Sequence, residues 1–106
     1  MPDDNPGKIR ARLRGGVVTV KVLLRHPMET GSGKHPATGA LIPRHFIREL
    51  VCEYNGDEVL AMDWGWGVAA NPYISFDIKG GKVGDLVRLR WEDNRGLTGE
   101  LETQVQ

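Results

Sequence analysis

The chain has 106 residues, of which 14 are basic and 14 acidic, so it carries no net charge. This length fits one domain, and the hydrophobic fraction of 40% with 26% charged residues is typical of a soluble globular protein. The sequence lacks the basic, aromatic-rich pattern of nucleic-acid binders, a membrane-spanning apolar run and the apolar core of a secretory signal. Composition alone therefore predicts a cytoplasmic protein that binds neither nucleic acid nor a membrane.

The first third of the chain predicts a flexible end followed by two strands. Residues 1–7 hold two prolines, two aspartates and a glycine, which predicts a flexible N-terminus. Residues 9–13 predict a first strand, and the glycine pair at 15–16 predicts a turn. Residues 17–24 alternate with period 2, as a half-buried strand does.

The first predicted strand carries a short basic row, Arg10, Arg12 and Arg14. Arginines at every second position lie on one face of a strand, and that face is most often simply solvated. We interpret the row in this way, and not as a nucleic-acid site.

The next stretch, residues 26–44, predicts a long loop with its own proline and glycine punctuation. Loops of this length without regular structure are uncommon in compact domains and are often functional. Together with His45, which follows it directly, the loop holds all three histidines of the chain.

The rest of the chain predicts strands and turns only. Asn-Gly-Asp at 55–57 predicts a type I′ hairpin turn, because Asn and Gly accept positive φ angles. Turn signals recur at the spacing of an antiparallel sandwich, so residues 8–106 predict a single all-β, immunoglobulin-like antiparallel β-sandwich of about seven strands. Beyond the loop, the predicted strands are residues 45–54, 58–64, 73–79, 86–91 and 97–105.

The histidines raise the possibility of a metal site. His26, His35 and His45, with Met28 and Cys52, are plausible ligands for iron or copper. The histidines are nine and ten residues apart, however, and form no compact ligand pair. We favour the alternative that His26 and His45 satisfy hydrogen bonds at strand ends while His35 lies in solvent.

One family allows a sharper test of the metal hypothesis. The segments HPME and HFI resemble the mononuclear-iron superoxide reductases, an immunoglobulin-like family that binds iron through four histidines and one cysteine. In that family the cysteine and one histidine come from a Cys-Asn-x-His-Gly loop near the C-terminus. The similar place here reads Asp93-Asn94-Arg95-Gly96. Because the thiolate is missing, that iron site is not expected, and we predict no metal or other cofactor.

Cys52 is the single cysteine and lies in phase with Leu50 and Tyr54 on a predicted strand. This pattern favours a buried core thiol, and an intermolecular disulfide is possible only if Cys52 is exposed. No motif places a general base beside it, so we predict no catalytic residue. Trp66 lies between two glycines, where an interface anchor and local packing are equally favoured.

Several motifs, taken together, resemble one family over about residues 8–104. In chain order they are HPMETG, LIPRHFI, NG, WGWGVAANPYISFDIKG and GDLVRLRWEDNRGLTGELET. This combination is similar to the SoxZ family, the Z subunits of the thiosulfate-oxidising (Sox) sulfur carrier.

The resemblance implies a subunit without enzymatic activity. Members of the family pair with SoxY, whose C-terminal Gly-Gly-Cys-Gly-Gly arm carries covalent sulfur intermediates between the Sox enzymes. It further implies transient contacts with those enzymes and a periplasmic location, reached by export together with SoxY. That expectation replaces the cytoplasmic location inferred from composition.

We expect the loop residues of these motifs to contact the partner or its arm, with internal loop stabilisation as the alternative for each. The alternative function is a metal-binding redox protein related to superoxide reductase. The predicted contact residues are His26, Pro27, Met28, Glu29, Leu41, Ile42, Pro43, Trp66, Asn71 and Pro72.

Overall fold

The computed structural model describes residues 6–65 and 67–106, so most of the predicted flexible N-terminus and Trp66 lie outside the described residues. Within these ranges the chain forms seven strands and no helix, which confirms the all-β prediction. No described segment is a helix that could cross a membrane. The strands are β1 (Gly7–Arg14), β2 (Val17–Leu24), β3 (Ile47–Tyr54), β4 (Asp57–Asp63), β5 (Tyr73–Lys79), β6 (Leu86–Asp93) and β7 (Thr98–Gln104).

The strands form two antiparallel sheets, as an immunoglobulin-like sandwich requires. The smaller sheet has the order β1-β2-β5 and the larger one β4-β3-β6-β7. On one side the sheets are joined, because Leu13 N–H donates to the Gln106 carbonyl (2.9 Å) and Gln106 N–H donates to the Ala11 carbonyl (3.0 Å). On the other side β5 and β4 are both edge strands. Since three strands face four, the inner side of β4 has no strand opposite it.

Period-2 alternation builds the core, because every second side chain of a strand points between the sheets. On β2 four consecutive inward residues are fully buried, and the facing strands β3 and β6 contribute equally buried residues. Burying one such side chain contributes roughly 1.5–3 kcal/mol of stability. The fully buried side chains include Val18, Val20, Val22, Leu24, Leu50, Cys52, Val87 and Leu89.

The predicted hairpin turn between β3 and β4 is confirmed by its backbone. Asn55 and Gly56 have φ angles of 49° and 88°, the left-handed pair that a type I′ turn needs. The Asn55 side chain also accepts a hydrogen bond from Leu86 N–H (2.8 Å), which ties the turn to β6.

The long loop is more ordered than its sequence predicted. It folds back on itself as a two-armed ribbon, with antiparallel bridges between Glu29 and His45 and between Lys34 and Leu41. The bridges and the further backbone hydrogen bonds between the arms follow a hairpin pairing that shifts by one residue between the base and the far end, as a bulge does. We refer to residues 29–45 as the ribbon; its far end is exposed and its base packs against the sandwich.

Candidate functional site

At the base of the ribbon, three titratable side chains meet at one end of the sandwich. His26 follows β2, His45 ends the ribbon and Asp93 is the last residue of β6. One ligand atom from each lies within 4.8 Å of the others. The two imidazole rings lie edge to face, with centroids 4.5 Å apart. We call this the His–Asp cluster; the fold joins residues that are 19 and 67 positions apart in sequence from His26.

Asp93 is the centre of the cluster and its side chain is only 4% exposed. Its Oδ2 lies 2.7 Å from His45 Nε2 and 3.5 Å from His26 Nε2, and its Oδ1 accepts the N–H groups of Arg95 and Leu97 at 2.9 Å each. Burial raises the pKa of Asp93, but the hydrogen bonds from His45, from the two backbone N–H groups and from His26 together lower it below the ordinary value. Asp93 is therefore an ionised carboxylate at neutral pH.

The hydrogen bonds of His26 assign its tautomer. Its Nδ1 accepts the N–H of Met28 at 3.1 Å, so the proton of the neutral ring sits on Nε2, which faces Asp93. Burial lowers the pKa of His26 more than the bond to Asp93 raises it, and the neighbouring His45 lowers it further. His26 is thus a neutral donor to an ionised acceptor.

Two histidines and a carboxylate are a ligand set known for non-haem iron, so we tested the cluster against a metal ion. A ligating nitrogen must present a lone pair, whereas His26 Nε2 carries its proton toward Asp93. Ligation there would require the proton to move to Nδ1, which would break the bond from Met28 N–H. Every donor and acceptor of His26 has a partner without an ion, which fits a structural lock better than a metal centre.

Met28 fastens the ribbon to the sandwich. It is 4% exposed, and its Sδ accepts the N–H of Ile47 at 3.4 Å, at the bulge in the pairing of β3 with β6. Its φ of 48° is left-handed, a conformation that costs a non-glycine residue of order 1 kcal/mol or more. The surrounding hydrogen bonds hold this conformation, so Met28 has an internal role in fastening the ribbon.

Asn94 is a site residue that the sequence reasoning missed. Its Oδ1 accepts Phe46 N–H (2.8 Å), its Nδ2 donates to the Arg44 carbonyl (2.9 Å), and its own N–H donates to the Phe46 carbonyl (2.9 Å). Together with Asp93 it holds the returning arm of the ribbon against β6. The signal is the Asp-Asn-Arg-Gly turn sequence, because Asn and Asp side chains in turns hydrogen-bond to backbone groups.

The predicted contact residues divide by exposure. Asn71 accepts the backbone N–H of His26 through Oδ1 (3.1 Å) and donates its own N–H to the His26 carbonyl (2.9 Å), so it also stabilises the chain internally. The exposed residues of this set therefore lie on the ribbon and near its base, whereas the residues that fasten the ribbon are buried. Among the described residues, Pro27, Leu41, Pro43 and Asn71 are exposed, Glu29 and Ile42 are half-buried, and His26, Met28 and Pro72 are buried.

Cys52 lies on β3 and is 0% exposed. Burial, with a smaller effect of the neighbouring Glu53 charge, raises the pKa of its thiol to about 11. An intermolecular disulfide at Cys52 would require an exposed thiol, and the thiol of Cys52 is not exposed in this structure. The thiol is a core side chain.

A second candidate surface lies at the open side of the sandwich. Leu60, Met62 and Trp64 of β4 and its continuation point inward, yet stay half-exposed because no strand covers them. Ile74, Phe76 and Ile78 of β5, the edge strand of the smaller sheet on the same side, are also half-exposed. We call these six side chains the open strip.

Comparison with models of protein families gives a match over nearly the whole chain. The family model described as "Sulphur oxidation protein SoxZ" matches residues 8–104, which is nearly the whole chain. No protein in the curated set matches. The matched range includes the whole ribbon, the His–Asp cluster and the open strip.

Proposed function

The chain belongs to the SoxZ family of sulfur oxidation proteins, and from this premise we propose that it is the non-catalytic, partner-binding subunit of a two-chain sulfur carrier. Its partner is a SoxY-type chain whose C-terminal arm cysteine carries covalent sulfur intermediates from one Sox enzyme to the next. The pair works in the periplasm, where the chain arrives by export together with that partner.

The state of Cys52 is the observation that carries this proposal. A sulfur adduct forms on a thiolate that its reactants can reach. The chain has a single cysteine, which is 0% exposed and whose pKa is raised to about 11. A sulfur oxidation protein of this kind therefore needs the carrier thiol of a second chain.

Two of the three residues of the His–Asp cluster, His26 and Asp93, support a role without catalysis. A general base needs a free lone pair within reach of a substrate. His26 Nδ1 is occupied by Met28 N–H, and Asp93 accepts four hydrogen bonds from protein groups. The cluster holds the ribbon in place, so the exposed residues of the ribbon are presented on a rigid base.

The open strip is the surface best suited to the permanent partner. Obligate interfaces are large and apolar and resemble a protein core cut in half. The strip has this character, since its six side chains are apolar, point into the sandwich and stay half-exposed at its open side. A partner covering β4 and β5 completes the core, and Leu41, at 63% exposure, together with Pro43 extends the contact along the ribbon.

Co-expression with a SoxY-type chain tests the proposal, with Met62 and Ala61 as a matched pair on β4. Met62 points to the open strip and Ala61 to the opposite, solvent-facing side. We expect the parent and Ala61→Asp to co-purify as a 1:1 heterodimer, and Met62→Asp to lose at least about tenfold in affinity. A milder variant, Met62→Gln, keeps the test valid if Met62→Asp unfolds. Two separate monomers of the parent on sizing would contradict the proposal.

Intact-mass measurement tests which chain carries the sulfur. The heterodimer is incubated with thiosulfate and with the Sox cytochrome that attaches sulfur intermediates to the carrier. We expect added mass on the SoxY-type chain only. The variant Cys52→Ser should load the same amount, because the buried thiol takes no part. Sulfur added to Cys52 in the folded complex would overturn the assignment.

The alternative function, a metal-binding redox protein, is favoured by one observation, the convergence of His26, His45 and Asp93. Elemental analysis of untagged protein distinguishes the two. We expect no stoichiometric iron, copper or zinc, because the tautomer of His26 opposes ligation. Tightly held metal that disappears in His45→Ala would establish the alternative.

A further inference from the structure

The outer face of the smaller sheet is strongly basic, although the chain as a whole is neutral. Its strands present Lys8, Arg10, Arg12 and Arg14 from β1, Lys21 from β2 and Lys79 from β5, all of them exposed. We call these six residues the basic face. We propose that it docks the acidic surface of an enzyme that acts on the carrier, an inference that rests on the proposed function.

The charges of the basic face are close together and unpaired. Arg10 lies directly opposite Lys21 in the β1–β2 register, a like-charge pair that is destabilising. Among the described residues of this face, the one carboxylate is that of Asp77, which accepts the Thr19 hydroxyl (2.8 Å). Over the described part of the chain, no ion pair involves Arg10, Arg12, Arg14 or Lys21.

The outer face of the larger sheet shows the opposite arrangement. Two of its arginines are offset by carboxylates within the sheet: Arg90 Nε lies 2.6 Å from Glu53 Oε1, and Arg88 lies 3.4 Å from carboxylate oxygens of both Glu100 and Glu102. The Nε atom of Arg88 nevertheless makes no hydrogen bond. The cations of the basic face, by contrast, have no ion-pair partners in the described part of the chain, and the carboxylates of an acidic protein surface would supply them.

An apolar pair gives the basic face an anchor at one end. Leu23 and Tyr73 lie opposite each other in the β2–β5 register and are 42% and 62% exposed. The row containing them continues to Lys8 on β1. Tyrosine and arginine are enriched at protein interfaces, and an aromatic anchor beside arginines is the pattern of a protein-docking surface.

The shape of the face favours an acidic protein over a nucleic acid. Three arginines, Thr19 and Lys21 line a groove of about 300 Å³ on β1 and β2. Within the described part of the face Tyr73 is the only exposed aromatic, which is too little for the stacking that nucleic-acid binders use. Charge-dominated contacts associate quickly and separate easily, as a carrier that serves several enzymes in turn requires.

Charge reversal in the heterodimer tests the proposal. The probe is the purified cytochrome that conjugates thiosulfate to the carrier, with heterodimer as the varied substrate. We compare the parent, Arg10→Glu/Arg12→Glu and the charge-conserving control Arg10→Lys/Arg12→Lys. Reversal should raise KM for the carrier about tenfold, leave kcat within about twofold and flatten the dependence on salt between about 20 and 300 mM. The lysine control should stay within about threefold of the parent KM.

The possible results distinguish a failure of the proposed function from a failure of the docking assignment. A parent chain that forms no heterodimer overturns the proposed function. A heterodimer that forms normally, but whose KM and salt dependence do not respond to charge reversal, overturns only the docking assignment. Retention of the parent heterodimer on a DNA duplex at physiological salt, lost on reversal, would assign the face to nucleic acid and also overturn it.

Discussion

The His–Asp cluster and the basic face both concentrate charged groups, and they differ in whether those groups have partners within the chain. In the cluster, Asp93 is nearly inaccessible and accepts four hydrogen bonds from its own chain. On the basic face, Arg10 and Lys21 are exposed and face each other. A group that is buried and fully satisfied contributes to folding, whereas one that is exposed and unmatched is available for recognition.

This comparison reverses the roles that residue type alone suggests. Histidines near a methionine resemble a functional site, and arginines at every second position of a strand resemble an ordinary solvated face. The structure places the histidines in a lock at the base of the ribbon and leaves the arginines without partners. The two regions therefore differ in how accessible their side chains are, and not in how reactive those side chains would be in isolation.

The largest expected effect is on folding stability, from Asp93→Ala in the cluster. Removing the carboxylate leaves His26, His45 and two backbone N–H groups without their acceptor in a buried site. Breaking such a buried network costs about 3–5 kcal/mol in the free energy of unfolding. Urea unfolding followed by tryptophan fluorescence measures it. The control Asp77→Ala, at an exposed carboxylate, should cost less than about 1 kcal/mol; equal losses would contradict the assignment of the lock.

The next effect is the pH dependence of stability, which should come from the cluster. The folded-state pKa of His26 is lowered, so the unfolded chain binds its proton more readily and stability falls as pH drops below about 6.5. The pKa of Asp93 is also lowered, so its contribution is present above about pH 4 and is lost as pH falls through its folded-state value. Each group contributes at most about 1.4 kcal/mol per pH unit.

Thermal unfolding between about pH 4 and 8 checks this expectation. His26→Asn should flatten the decline below about pH 6.5, although it lowers stability overall. The exposed His35→Asn serves as the matched control and should keep the slope of the parent. A parent protein equally stable at pH 5 and pH 7.5 would show that His26 is not held neutral by burial.

The smallest effect is a gain in stability on the basic face. Lys21→Glu replaces the repulsion between Arg10 and Lys21 by a cross-strand ion pair, which should raise the free energy of unfolding by about 0.2–1 kcal/mol. Lys79→Glu, whose β2 neighbour is Val17, should change it by less than about 0.5 kcal/mol. Urea midpoints measure both. If Lys21→Glu destabilised the fold, the basic residues would have structural partners, and the contrast with the cluster would weaken.

Much of the fold was predictable because each strand carries its own signal. Val18, Val20, Val22 and Leu24 alternate on β2, and all four are fully buried as that alternation predicts. The Asn55-Gly56 turn was predictable from conformational preference alone. Hydrogen bonding by His26 and His45 at strand ends was also anticipated, but their common partner Asp93 was not, since 67 and 48 residues separate it from them.

The sequence by itself determined the all-β class, the strand positions, the family and the lack of a second cysteine, because these depend on local periodicity, motif order and composition. Only the tertiary structure decided what is accessible. It buried Cys52 and Met28, joined two histidines to Asp93, left β4 uncovered and placed Arg10 opposite Lys21. These properties depend on strand order and register, which arise from long-range pairing and therefore have no signature in any short stretch of the chain.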